Sequence, residues 1–224
     1  MTVFWHRERH GLAEFAVTDA RSDLRAGEPS VLERVSEAFA GVPVALMRQV
    51  HGVGIAIADP ASAPAADALL VEGPGVVAAV RVADCVPIVL ADDHLPLGAV
   101  VHAGRAGTAE GIVPAAVARL RADGATSLHA WIGPHVCGRC YEVPAALAAE
   151  VDERVPGASS TTSWGTPSID LGAAVASQLT AEGVAITDLD VCTLEDERFH
   201  SYRRDGERAG RFAMLLTMHD EEAR

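Results

Sequence analysis

The sequence predicts an α+β fold with a mixed sheet, in one domain over residues 1–224, and three observations carry this. Short runs rich in Val, Ile and Leu alternate with helical periodicities along the chain. The runs between Val44 and His102 follow one another without an intervening helix, which favours a mixed sheet over a purely parallel one. No segment is long enough to serve as a linker, and 224 residues suffice for one substantial core.

The elements follow in order. Ser30 and Glu33 have the spacing of a capping box ahead of an apolar-periodic run to Phe39, so a helix is expected there, ended by Gly41 and Pro43. Val44 to Val50, Gly54 to Ala58, Val76 to Val82, Val86 to Ala91 and Leu97 to Val101 read as strands, with the Ala- and Pro-rich segment Pro60 to Ala66 as a loop. A turn at Gly104 to Gly107 leads to a helix from Ile112 to Leu120. Ser127 to Ile132 reads as a strand, Pro144 to Glu153 as a helix and Val155 to Pro167 as a polar loop. Asp170 is placed to cap a helix through Leu179, and Ile186 to Val191 and Arg211 to Met218 complete the strands, with a helix as the alternative for the last.

Composition narrows the function classes. The net charge is −13, from 31 acidic and 18 basic residues with no basic stripe, so no nucleic-acid or anionic-lipid footprint is expected and a small-molecule substrate is. Mean hydropathy is +0.18, yet the apolar runs are strand-length, so no membrane span is expected. Met1 to Phe15 carries charged residues where a signal peptide would have an apolar core, which points to a cytoplasmic location. Every basic residue is arginine, and this removes Schiff-base chemistry and the phosphate-loop lysine. Four cysteines without a secretory signal argue for ligand, nucleophile or core roles over a disulfide framework.

Three metal-ligand side chains fall at the ends of three expected strands: His51 after the Val44 run, Cys85 after the Val76 run and His102 after the Leu97 run. Taken singly, each is more often packing than chemistry. Together, two imidazoles and a thiolate make a competent zinc set, and three protein ligands leave a fourth position for water or substrate, the mark of a catalytic site. Asp84, beside Cys85, is placed to orient a ligand or act as a general base, or else to cap a strand end.

These segments are joined by further motifs: Asp67 to Leu70, Ile132 to Pro134, Cys140 to Val143, Ile169 to Leu171, Val191 to Thr193 and Ser201 to Asp205. From about Val44 to Met218 the ordered set resembles the laccase-domain family, also called YfiH-like, peptidoglycan editing factor or multifunctional purine nucleoside phosphorylase. The resemblance implies zinc at the positions of His51, Cys85 and His102, in mixed sheets with helices packed outside. It also implies phosphorolysis of adenosine, inosine and methylthioadenosine, with adenosine deamination, copper-dependent phenol oxidation and amidase editing of cell-wall precursors as other activities of the family. Zinc is the expected metal, with copper as the alternative.

An open His, His, Cys zinc site suits deamination through an activated water. Phosphorolysis needs a cationic cradle, which falls to arginine in a chain without lysine: Arg48, Arg105, Arg203 and Arg204 lie in or beside the motifs. The substrate-binding candidates are thus Arg48, Arg105, Arg203 and Tyr141, the last for contact with a purine or ribose; Asp84 and Cys85 are the catalytic candidates. The chain departs from the family where His102-Ala103-Gly104 is usually followed by Trp-Arg-Gly: here Arg105-Ala106-Gly107 stands, so alanine occupies the usual arginine position. The Arg9 to Leu12 segment matches the family only in part, and the chain has no asparagine for the family's substrate-side position. An inert binding protein is the reading these changes keep open.

Cys137 and Cys140 form a C-x-x-C pair. A redox dithiol or half a structural zinc site is the sharper reading, and two reduced thiols near the site's rim the plainer and preferred one, because an isolated pair seldom specifies its own metal. Cys192 is expected in the core.

Overall fold

The computed structural model describes residues 3–25 and 29–220. In chain order, β1 (Phe4–His10) and β2 (Ala13–Thr18) pair as a hairpin and α1 (Pro29–Ala38) follows. Next come β3 (Val44–Ala45), β4 (Ile55–Ile57), β5 (Ala68–Glu72), β6 (Val77–Val82), β7 (Val86–Asp92) and β8 (Leu97–Ala103). Helices α2 (Arg105–Glu110) and α3 (Ile112–Ala122) lead to β9 (Leu128–Ile132), α4 (Ala145–Arg154), β10 (Ser159–Thr161), β11 (Pro167–Ile169) and α5 (Leu171–Ala181). The chain ends through β12 (Ala185–Asp188), a one-turn helix α6 (Tyr202–Asp205) and β13 (Phe212–Met218).

The strands make two mixed sheets, ordered β1-β2-β13-β6-β3 and β12-β9-β7-β8-β5-β4, so the α+β class is the one observed. Their inner faces pack together through Phe15, Val80, Met214 and Leu216 on one side and Leu69, Val89, Val100 and Trp131 on the other. The outer face of the larger sheet carries Ile88, Leu90, Ala99 and Val101 against α3, α4 and α5. The outer face of the smaller one carries Ala79, Ala213 and Leu215 against Val31, Val35 and Phe39 of the α1 region. Central strands buried on both faces read as unbroken apolar runs, which is how β7 and β13 appear in the sequence. No helix among the described residues is long and apolar enough to cross a membrane.

Several expected elements are corrected. The strand from Val44 to Val50 stops at Ala45, because the backbone N–H groups of Val50, His51 and Gly52 turn to the Asp67 carboxylate instead of a neighbouring strand. The turn at Gly104 to Gly107 is the start of α2, which ends at Gly111 in a left-handed conformation (φ +91°). Ser30 lies inside α1, with Pro29 at the first helical position, where its missing N–H costs nothing. The polar loop from Val155 to Pro167 contains β10, which pairs with β11 as an antiparallel hairpin. The β1–β2 hairpin and β5 were not anticipated. Asp170 does cap α5, its Oδ1 accepting the Ala173 N–H at 2.9 Å.

Asp92 anchors the far end of the larger sheet. Its carboxylate is 1% exposed and accepts the backbone N–H groups of His94, Leu95, Thr126 and Ser127 at 2.7–2.9 Å. Burial pushes its pKa up, but these donors outweigh that and hold it below the ordinary value. A depressed carboxylate pKa contributes stability that is complete above the unfolded value of about 3.9 and is lost as pH falls through the folded one. Asp92→Asn is therefore expected to cost about 2–4 kcal/mol at pH 7, since the amide presents its NH₂ to backbone donors. Urea midpoints at pH 7 and pH 3.5 check this: the gap between the two proteins must narrow at the lower pH.

Candidate active site

The 83–85 turn joins β6 of the smaller sheet to β7 of the larger one and so holds Cys85 at the seam between them. Asp84 within it has φ +86°, a conformation that costs a non-glycine residue free energy and persists only when its surroundings hold it. Three contacts do so. Its Oδ1 accepts the Thr193 hydroxyl at 2.7 Å, its Oδ2 the Arg203 N–H at 2.7 Å, and its carbonyl the Val136 N–H at 3.1 Å. With both carboxylate oxygens engaged, Asp84 joins the turn to the segments carrying Thr193 and Arg203.

His102 lies near the end of β8 and is 2% exposed. Its Nδ1 stands 2.8 Å from Asp67 Oδ1 and its backbone N–H donates to the Asp67 carbonyl at 2.7 Å. With Nδ1 committed to a carboxylate, Nε2 is the nitrogen left for a ligand. The Asp67 carboxylate also accepts the His51 N–H at 2.9 Å and the Gly52 N–H at 2.8 Å, so one fully buried group orients two of the three candidate ligands. These bonds hold His51 at φ +61°.

His51 Nε2 lies 3.8 Å from Cys85 Sγ, the His51 and His102 rings meet edge to face at 4.7 Å, and one ligand atom from each of the three residues lies within 4.8 Å of the others. Tetrahedral zinc with bonds of about 2.05 Å to nitrogen and about 2.3 Å to sulfur sets nitrogen and sulfur about 3.6 Å apart and the two nitrogens about 3.3 Å apart. The donor set fits such an ion. Gly104 backs the cluster closely: a Cβ there would come within 2.7 Å of His51 Cδ2 and 3.3 Å of Cys85 Sγ. Burial raises the Cys85 pKa, but the hydrogen bonds and charges of His102 and His51 override it and bring the thiol down to about 6. In the same group, burial lowers the His102 pKa while Asp67 and Cys85 lift it to about 9.

The cluster opens into a cavity of about 810 Å³, whose wall also carries Asp84, Arg48, Tyr141 and Arg203. Arg203 spans the Tyr141 ring at 4.5 Å and donates to the Glu142 carbonyl at 2.6 Å. Arg105 is not on that wall; it opens α2, and its charge reaches the Tyr141 hydroxyl. Arg204 is turned inward, its guanidinium donating to the Thr193 and Phe199 carbonyls. Cys192 is half-buried with its Sγ accepting the Cys137 N–H at 3.5 Å, so the core position expected for it is wrong: its strand ends at Asp188, and the residue lies in the following loop.

Three site residues escaped the sequence reading. Asp67 belongs to the Asp67 to Leu70 motif, and a carboxylate directly before the apolar run Ala68 to Val71 signals a buried polar anchor. Arg81 and Arg211 also line the cavity. Arg81 is the one charge inside the apolar strand β6, and that is the signal that could have found it. Burial and the neighbouring Arg211 push its pKa below the ordinary arginine value. Its guanidinium is positioned by the Met47 and Leu24 carbonyls, and that of Arg211 by the Ala209 and Gly210 carbonyls. Among the described residues, no carboxylate oxygen lies within 4 Å of the guanidinium nitrogens of Arg48, Arg81, Arg203 or Arg211, although the backbone N–H groups of Arg203 and Arg211 donate to Asp84 and Asp23.

A family model described as "Multi-copper polyphenol oxidoreductase laccase" matches residues 13–219. Purine nucleoside phosphorylase ORF3 of Streptomyces griseus is 46% identical over 172 residues, covering 72% of this chain and 69% of that protein. Purine nucleoside phosphorylase Rv2149c of Mycobacterium tuberculosis is 43% identical over 184 residues, covering 80% and 73%. Among solved structures, Neisseria meningitidis protein NMB0706 matches with a TM-score of 0.84 at 25% identity, over 98% of this chain and 100% of that one. The Bacillus licheniformis protein YfiH shares the fold, with a TM-score of 0.78 at 22% identity over 92% of each chain. The match over most of the chain, the sequence relatives and the shared fold together make this chain a member of the laccase-like, YfiH-type family.

Proposed function

We propose that the chain is a purine nucleoside phosphorylase holding zinc through His51, Cys85 and His102, with adenosine, inosine and methylthioadenosine as its substrate range. The observation that carries this is the group of carboxylate-free arginines, Arg48, Arg81, Arg203 and Arg211, on the wall of the cavity into which that cluster opens. In a chain of net charge −13, unpaired cations gathered in one cleft favour an anion, and guanidinium forks match phosphate oxygens. The names of the relatives supply the reaction.

Zinc at this set would supply a Lewis acid that polarises an oxygen of a bound substrate. The chain's own residues do the rest. The arginines hold phosphate so that one of its oxygens forms a bond to the anomeric carbon of the ribose. The glycosidic bond breaks, and its electron pair leaves with the purine, which takes up the proton that the attacking hydrogen phosphate gives up. Tyr141, fixed under Arg203, offers a face against which a purine or ribose can lie. Adenosine deamination is the second reading, supported by the same three ligands and their open fourth position.

The test is base release from inosine and adenosine with and without phosphate. Release should require phosphate and fall to background in His51→Ala. Arg211→Met is expected to raise the phosphate KM at least about ten-fold, the loss of one charge-assisted contact, without lowering the melting temperature, because it relieves repulsion with Arg81. Base release that ignores phosphate, or an unchanged phosphate KM, would sink the proposal.

A further inference from the structure

Outside the cavity, the structure brings together two loops far apart in sequence. Cys137 and Cys140 follow β9, Cys192 and Glu195 follow β12, and one ligand atom from each lies within 4.8 Å of the other three. The C-x-x-C pair is thus not isolated: it faces a second pair of the same spacing, Cys192-Thr193-Leu194-Glu195. We propose that Cys137, Cys140, Cys192 and Glu195 form a second metal site, a closed four-ligand zinc centre with a structural role, separate from the His51, Cys85 and His102 cluster.

The local geometry suits it. The Cys140 and Tyr141 N–H groups both donate to the Cys137 carbonyl, at 2.9 and 3.0 Å, folding the pair into a tight knuckle that turns both thiols the same way. On the facing loop the Asp196 N–H donates to the Cys192 carbonyl at 3.0 Å and makes the matching turn. Cys192 Sγ accepts the Cys137 N–H at 3.5 Å, and Cys140 Sγ stands 3.4 Å from Glu195 Oε1. The backbone N–H donor on Cys192 stabilises that sulfur in its thiolate form, the form that binds metal. Three sulfurs and one carboxylate complete a tetrahedron without an open position, as structural zinc sites do, and thiolate-rich sets select zinc over magnesium or calcium. Arg139, 3.7 Å from Glu195, offsets part of the surplus negative charge.

Its position explains what such a centre would do. Tyr141 adjoins Cys140, and Thr193, whose hydroxyl holds Asp84, adjoins Cys192. A metal tying the two loops would fix the wall of the cavity from behind.

The experiment is metal analysis of the full chain purified from zinc-supplemented cells, with cobalt substitution of the same protein. Two zinc ions per chain are expected, falling to one in Cys85→Ala and to one in Cys192→Ser. The cobalt protein should show intense sulfur-to-metal charge transfer from four thiolates, falling by about a quarter in Cys85→Ala and to the weak contribution of Cys85 alone in Cys192→Ser. Should Cys192→Ser fail to fold, Glu195→Gln, at a half-exposed side chain, replaces it, with one of the two zinc ions transferred to a chelating dye at least about ten-fold faster. One zinc per chain, its content unchanged in Cys192→Ser or its release unchanged in Glu195→Gln, overturns the proposal. A disulfide among Cys137, Cys140 and Cys192 in protein purified without oxidant overturns it too.

Discussion

Cys85→Ala is expected to remove the metal of the cavity and lower phosphorolysis by at least about 10³-fold while leaving the fold intact. The thiolate is the one anionic donor among the three ligands, and its pKa of about 6 means it is charged at neutral pH before any metal arrives. Proton competition follows with a definite sign: metal affinity should weaken as pH falls below about 9, where the metal has to displace a proton from His102, and more steeply below about 6, where it has to displace one from the Cys85 thiol as well. Side-chain loss should cost little stability, since Cys85 is half-buried at the mouth of a cavity and no bulky group is left without packing. Equilibrium dialysis against zinc at pH 7.5 and pH 5, with turnover measured in parallel, reads both effects. Full zinc content and full activity in the variant would remove Cys85 from the site.

Asp67→Asn is expected to do what Cys85→Ala does not: destabilise the protein and loosen the metal together. The carboxylate is fully buried and accepts from His51 N–H, Gly52 N–H and His102 Nδ1. An amide in its place must turn an NH₂ towards at least one donor, at a cost of about 3–5 kcal/mol for a broken buried charged network. Metal affinity should drop about 10–100-fold, because His102 loses the partner that fixes its tautomer. The pair also sets a pH window in the metal-free protein. Burial raises the Asp67 pKa, but His102 and the backbone donors bring it below the ordinary value, so its share of stability is lost as pH falls below about 4. His102 is raised to about 9, so its share is complete below the unfolded value of about 6.5 and is lost as pH rises through about 9. Melting temperatures of chelator-treated protein from pH 4 to 10 check this: the wild type should decline between about pH 6.5 and about pH 9 and level off above it, and Asp67→Asn should show a smaller decline, because Cys85 alone then lifts the His102 pKa. A variant as stable as the wild type would contradict the network.

The contrast between these two residues shows where the candidate site was legible. Cys85, His51 and His102 each follow or end an apolar run, so their types and positions along the chain were enough to single them out. Asp67 was not assigned a role, because its work consists of contacts with residues 15 to 35 positions away. Arg81 and Arg211 meet only because β6 and β13 are paired neighbours, with Ala213 opposite Arg81. Arg105, named from the motif, lies off the cavity wall because the glycine-rich segment is wound into α2 rather than left as a turn. Cys137 and Cys140 looked isolated because Cys192 is more than fifty residues on.

What the sequence determined by itself was local. Apolar period-2 and helical runs dictated most strands and helices, the succession of strands without helices dictated a mixed sheet, and the absence of lysine assigned any anion binding to arginine. The tertiary structure decided which residues share a space. Two sheets had to pack face to face before the 83–85 turn could bridge them beside His102. Side chains distant in sequence then met at the seam, because burying both sheets' inner faces admits one register of strands, and that register carries the polar residues at the strand ends together.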